Sequence, residues 1–230
     1  MTEPTAQTVA VEFALKVGDG QLKASVTVPA GQTTITELLP IIQSFENAIV
    51  GKAASDAEAA GTPISCRAGC GACCRQMVPV SIFEAQALCD WIRSLPDPQQ
   101  KALEARFHQT LLKLKDTGII QRLIEEDWFA DSDTALKMAI DYFSLGIPCP
   151  FLVNESCSIH PIRPLSCREY LVTSPPERCN DPAKNGVAGV QLPIKLSHAL
   201  YRMGGQLEQD RRGWIPLVFL FAWMKSGAEP

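Results

Sequence analysis

The chain has 230 residues, 46% of them hydrophobic, which is enough for one substantial core or a core with a small appendage. Its net charge of −4 gives non-specific nucleic-acid binding no electrostatic support. The longest apolar run, Trp214 to Met224, falls well short of the ~20 residues a membrane span needs, so no membrane association is expected. The start, Met1-Thr-Glu-Pro-Thr-Ala, has no basic segment followed by an apolar one, so a cytoplasmic setting is expected.

Residues 9 to 28 predict a β-hairpin. Val9, Val11, Phe13, Leu15 and Val17 alternate with other residues, and after Gly18-Asp19-Gly20 the alternation resumes at Leu22, Ala24, Val26 and Val28. An isolated hairpin is marginal, so its apolar face is expected to pack on something. Leu38, Leu39, Ile42, Phe45 and Ile49 predict a helix over 34 to 53, with Pro40 tolerated in its first turns. The Ala/Gly/Ser/Asp stretch from Ala53 to Gly61 predicts a weak helix end and linker, dividing the chain into residues 1–60 and 61–230.

Ser81 and Glu84 predict a capping box for a helix from Ile82 to Leu95. Its apolar stripe includes Cys89, which reads there as a small core hydrophobe. Asp97-Pro98 predicts a helix to about Asp116, with Asp97 as its cap. Further helices are predicted at 119–126 and 133–145. The segment from Cys149 to Asn185, with Pro148 before it, carries many prolines and little periodicity. So long an irregular stretch inside a compact domain needs an organiser, and metal ligation is the natural one. Closing helices are predicted at 194–203 and 214–224. The fold class expected is α+β, mainly α: an N-terminal β-hairpin, then a helical body with an irregular cysteine- and proline-rich metal-binding segment.

Eight of the nine cysteines fall into two groups. Cys66, Cys70, Cys73 and Cys74 lie within nine residues, separated by Arg67 and by small residues that let the backbone fold tightly. Cys149, Cys157, Cys167 and Cys179 are each isolated. Thiolates are soft, anionic ligands, and four of them close a zinc or iron–sulfur site. A disulfide framework is disfavoured, because a chain with this much core needs no staples. The second group supplies no Cys-x-x-Cys knuckle, so a ribbon of two matched zinc knuckles is not supported. Spacing leaves open whether the groups make two separate sites or interleave.

Five of the eleven arginines (Arg67, Arg75, Arg163, Arg168 and Arg178) lie within or beside the cysteine segments, where no lysine falls. A four-thiolate centre keeps negative charge, and fixed guanidiniums offset it and donate to sulfur. Arg75, Arg163 and Arg168 are the candidates for that supporting role. Cys66-x3-Cys70-x2-Cys73 also matches the cluster spacing of radical S-adenosylmethionine enzymes. That reading is rejected, because no β/α alternation surrounds the motif and Cys74 would be superfluous. Gly18-x-Gly20 and Gly204-Gly205 do not lie between a strand and a helix as phosphate loops do. His160, between Cys157 and Cys167, is a candidate ligand or proton carrier. No Gly-x-Ser-x-Gly elbow is present.

Cys66-Arg-Ala-Gly-Cys70-Gly-Ala-Cys73-Cys74-Arg75, Cys149-Pro-Phe-Leu, and Cys157-Ser-Ile-His-Pro-Ile-Arg163-Pro164-Leu-Ser-Cys167-Arg168-Glu-Tyr170 with Cys179 beyond together resemble the YkgJ-type cysteine-cluster family. This is the zinc- or iron-chelating CxxCxxCC domain. The resemblance covers residues 64 to 182. It implies that all eight grouped cysteines are metal ligands and that Cys89 is not. Two departures stand out. Three residues separate Cys66 from Cys70 where the pattern has two, and His160 stands where a tyrosine is expected. A related cluster, of iron–sulfur appearance, accompanies flagellin lysine methylases, but this chain has no methylase signature.

Eight thiolates, spacing unlike zinc knuckles and the neighbouring arginines favour an iron–sulfur cluster, such as a 4Fe–4S centre, used in redox or electron transfer or as accessory to an oxidoreductase. The rival readings are a zinc-stabilised, non-catalytic interaction module and a metal-trafficking protein with exchangeable thiolates.

Overall fold

In the computed structural model, which describes residues 8–17, 20–125, 131–207 and 212–227, the N-terminal alternation forms a two-stranded antiparallel ribbon. Strands β1 (Thr8–Val17) and β2 (Gly20–Pro29) pair from Thr8 opposite Pro29 to Val17 opposite Gly20. Gly18 and Asp19, where the turn is expected, lie outside the described residues. The alternating side is not sealed throughout: Val9 and Val11 are exposed.

Helix α1 (Ile35–Ala59) begins at Thr34, whose hydroxyl accepts from the Glu37 amide while the Glu37 carboxylate accepts from the Thr34 amide. Pro40 sits in its second turn. The sequence reading ended this helix near residue 53 in a linker. The alanine-rich run instead stays helical to Ala59, since alanine carries no helix penalty, and the chain turns at Gly61, whose φ is +76°. Leu39 of α1 packs with Ile82, Phe83, Leu165 and Leu200, which ties the helix to the segments that follow.

Strand β3 (Pro79–Ser81) leads directly into α2 (Ile82–Ser94), with the expected Ser81–Glu84 capping box in place. Helix α3 (Asp97–Lys115) starts one residue earlier than predicted. Pro96 takes the cap position, and Asp97 lies in the first turn, where its charge suits the helix dipole. Helices α4 (Ile119–Glu125) and α5 (Ser132–Ser144, capped by Asp131) follow. The main core gathers Ala85, Leu88, Cys89 and Ile92 of α2 with Phe107, Phe151, Leu220 and Phe221. Phe107 contacts Phe151 and Phe221 at ring-centroid distances of 5.2 and 4.8 Å. Cys89 is wholly buried there, as the apolar stripe implied.

The proline-rich segment carries only short elements: β4 (Leu152–Val153), β5 (Ser156–Cys157), α6 (Leu165–Arg168) and α7 (Pro182–Asn185). Helix α8 (Leu196–Leu207) then precedes β6 (Trp214–Pro216) and α9 (Leu220–Ser226). The predicted helix from Trp214 is corrected. Pro216 disfavours helical backbone at Ile215, so Trp214–Pro216 runs extended and pairs antiparallel with β3. A 3-10 turn, Leu217–Phe219, leads into the shorter helix α9. The class is α+β and mainly α. Among the described residues no helix is long and apolar enough to cross a membrane.

Candidate metal centre

The first cysteine block is a sequence of tight turns. The Cys70 amide donates to the Arg67 carbonyl at 3.2 Å, and Gly69 takes φ +81°. Ala72–Arg75 then forms a 3-10 turn that offsets Cys73 and Cys74 along the chain. Gly71 has no room for a side chain: a Cβ there would meet the Glu155 carboxylate, with Leu152 Cδ1 at 2.9 Å. The second block is brought to the first by main-chain bonds. The Cys149 amide donates to the Cys74 carbonyl at 2.7 Å. Strands β4 and β5 form a miniature hairpin that places Leu152 opposite Cys157. Its two turn residues, Asn154 and Glu155, have φ of +49° and +57°, the double left-handed pattern of a type I′ turn. Glutamate rarely adopts that conformation; here its carboxylate is gripped by Arg75, with contacts of 2.7 and 3.0 Å.

Cys167 rides on α6, whose first amide, Leu165 N–H, donates to Glu84 Oε1 at 2.7 Å. Glu84 thus caps two helices at once, its own α2 and the one bearing Cys167. Arg168 is engaged by the main chain and by α1. Its Nε donates to the Arg163 carbonyl at 3.0 Å, and its two terminal nitrogens donate to Asn47 Oδ1 at 2.9 Å and the Pro161 carbonyl at 2.6 Å. These bonds hold the loop that carries residues 161–163 against α1.

The result is one cavity of about 540 Å³ lined by Cys66, Cys70, Cys73, Cys74, Cys149, Cys157 and Cys167. The eighth grouped cysteine, Cys179, lies just outside the lining, buried in a small cluster with Ala72 and Val172 against which Cys70 packs. Of the three arginines singled out in the sequence, Arg163 alone lines the cavity; Arg75 is engaged by Glu155, and Arg168 by the loop and α1. The Arg163 Nε is buried with no hydrogen-bond partner. His160 lies exposed on the cavity rim, its pKa lowered by desolvation and by Arg163 and Arg168. Tyr170 and Met77, which the sequence reading did not single out, also line the wall.

Among the described residues, no three His, Cys, Asp or Glu side chains already converge on one point as ligands of a single ion. The thiols ring a space instead. Burial pushes up the pKa of Cys66, Cys157, Cys167 and Cys179, and that of Cys149 to about 12. The adjacent pair diverges: the Cys74 thiol donates to Cys73, which lowers Cys73 and raises Cys74. Thiols whose pKa is raised by burial hold their protons more tightly, so binding a metal there is coupled to proton release. The donor set fits a thiophilic metal: seven sulfurs around one cavity, the half-buried Arg163 in its lining, and apolar wall residues Phe151, Ile159 and Leu217.

Such a site defines a cysteine-ligating, metal-chelating protein. The family model described as CxxCxxCC, a putative zinc- or iron-chelating domain, matches residues 65–185, just over half of the chain. The chain belongs to this family. No curated protein matches it, and no solved structure does. Leu217 lies beyond the family match, yet it lines the cavity and its amide donates to the Val78 carbonyl at 2.8 Å.

Proposed function

We propose that the chain holds iron–sulfur chemistry in this cavity, with Cys66, Cys70, Cys73, Cys74, Cys149, Cys157, Cys167 and Cys179 as ligands, and serves redox or electron transfer, alone or as accessory to an oxidoreductase. The observation that carries this reading is the cavity itself. Seven cysteines around one cavity exceed the four that a single tetrahedral ion takes. A polynuclear cluster holds its ligands apart around a volume and suits such an arrangement. The apolar wall and the Arg163 guanidinium supply the burial and positive charge that tune a cluster's potential.

The test is purification of the full chain without oxygen, followed by metal and acid-labile sulfide analysis and a visible spectrum. Iron with equivalent sulfide and a brown chromophore is expected. A colourless protein with stoichiometric zinc would refute the redox reading in favour of a zinc-stabilised interaction module. Cys73→Ser and Cys167→Ser should lower metal content, whereas Cys89→Ala, a change confined to the core, should leave it intact. Equal occupancy in all three variants would refute the ligand assignment.

A further inference from the structure

The geometry points to two four-thiolate centres per chain, an inner one on Cys74, Cys149, Cys157 and Cys167 and an outer one on Cys66, Cys70, Cys73 and Cys179. Each set therefore draws on both halves of the sequence. The partition rests on the metal-binding role proposed above and is independent of which metal is bound.

The inner set is fastened to the main core. Cys149 and Cys157 pack against the cluster that contains Phe107 and Phe151. The Cys149 amide is bonded to the Cys74 carbonyl, and the Cys149 carbonyl accepts from Leu152, the residue opposite Cys157 in the small hairpin. Cys167 joins from α6, whose first amide is held by the buried Glu84 carboxylate.

The outer set belongs to a different packing unit. Cys179 is buried with Ala72 and Val172, and Cys70 packs on that same satellite cluster. Ser65, next to Cys66, is tied to the same place: its amide donates to the Val172 carbonyl at 2.9 Å and its hydroxyl to the Ser174 carbonyl at 2.6 Å. Cys66 itself is exposed, so this set borders solvent. The electrostatic neighbours of the thiols sort the same way: Cys149 and Cys157 act on Cys74 and on Cys167, whereas Cys66 and Cys70 act on Cys179. Cys73 acts electrostatically on members of both sets and accepts a hydrogen bond from the Cys74 thiol. It falls to the outer set because the inner one already has four ligands. The adjacent Cys73-Cys74 pair then has a structural purpose: consecutive residues in a 3-10 turn serve opposite sides of one strand of chain.

Elemental analysis and native mass spectrometry of the anaerobically purified full chain test this. The unaltered chain should carry two centres. Cys149→Ser and Cys179→Ser should each carry one, Cys149→Ser with Cys167→Ser still one, and Cys149→Ser with Cys179→Ser none. Titrating the unaltered chain with a competing chelator provides a measurement that needs no variant, and metal should leave in two steps, the solvent-bordering centre first. A single centre in the unaltered chain, single-step release, or equal loss from the two double variants would overturn the partition. A chain that binds no centre at all would overturn both this and the proposed function.

Discussion

Replacing Glu46 with glutamine should stabilise the protein at alkaline pH and flatten the dependence of its stability on pH. Glu46 lies on the buried face of α1, fully inaccessible, and neither carboxylate oxygen has a hydrogen-bond partner. Burial is the main cause that pushes its pKa from an ordinary 4.5 to about 7, and the nearby Glu169 and Glu84 charges add to the rise. The Leu196 amide, too poorly placed for a full hydrogen bond, and the Arg168 guanidinium act in the opposite sense and do not prevail.

The sign follows from the two states. Below pH 4.5 the carboxyl is neutral whether the chain is folded or unfolded, and it costs nothing extra. Between 4.5 and about 7 the unfolded chain releases the proton while the folded one keeps it, so stability falls as pH rises. Above about 7 both states are ionised and the loss is constant. At ~1.4 kcal/mol per pH unit the full penalty is on the order of 3 kcal/mol, of which ~2 kcal/mol accrues between pH 5.5 and 8. Glu46→Gln keeps the shape and neutrality of the protonated acid. Urea unfolding of both proteins, metal-loaded and without oxygen, across that pH range is the assay. The difference between variant and parent should widen from pH 5.5 to about 7 and then level off. Parallel curves would show that Glu46 is solvated or paired in solution, and would refute the reasoning.

Two further outcomes follow from the packing around the site. Arg168→Met should cost on the order of 3 kcal/mol in urea unfolding and reduce metal content, because Asn47 and the carbonyls of Pro161 and Arg163 lose the guanidinium that donates to them; Arg168→Lys should recover little, lacking the planar fork that reaches all three. Gly213→Ala should abolish soluble folded protein or lower stability by more than ~4 kcal/mol, measured by soluble yield and thermal unfolding. Gly213 has φ +59°, and a Cβ there would overlap the Tyr201 carbonyl oxygen and the Gly205 amide nitrogen, both main-chain atoms that cannot swing aside.

Local signals in the sequence were reliable where short-range chemistry decides the outcome. The Ser81–Glu84 capping box, the period-two hairpin and the core placement of Cys89 all depend on neighbours a few residues apart, and all appear in the fold. The family was legible in the cysteine blocks for the same reason, as turns and ligands at fixed spacing. The failures have physical causes. Ala53–Ala59 stayed helical because alanine propensity outweighed a linker-like composition. Trp214–Pro216 became a strand because β3, more than a hundred residues earlier, offered an unpaired edge to an X-Pro segment already biased to extended backbone.

The sequence by itself determined the ligand chemistry: which sulfurs exist, how tightly the first four are spaced, and that arginine rather than lysine accompanies them. Only the tertiary structure decided which sulfurs share a space. That choice depends on long-range bonds with no signature in spacing, such as Cys149 to Cys74, Leu165 to Glu84 and Ser65 to Val172. It also depends on burial, which left both Glu46 carboxylate oxygens without a hydrogen-bond partner, engaged Arg168 with α1 and the 161–163 loop, and placed Arg163 in the cavity wall. Distances between residues far apart in a chain are set by how its core packs, and packing is a property of the whole fold.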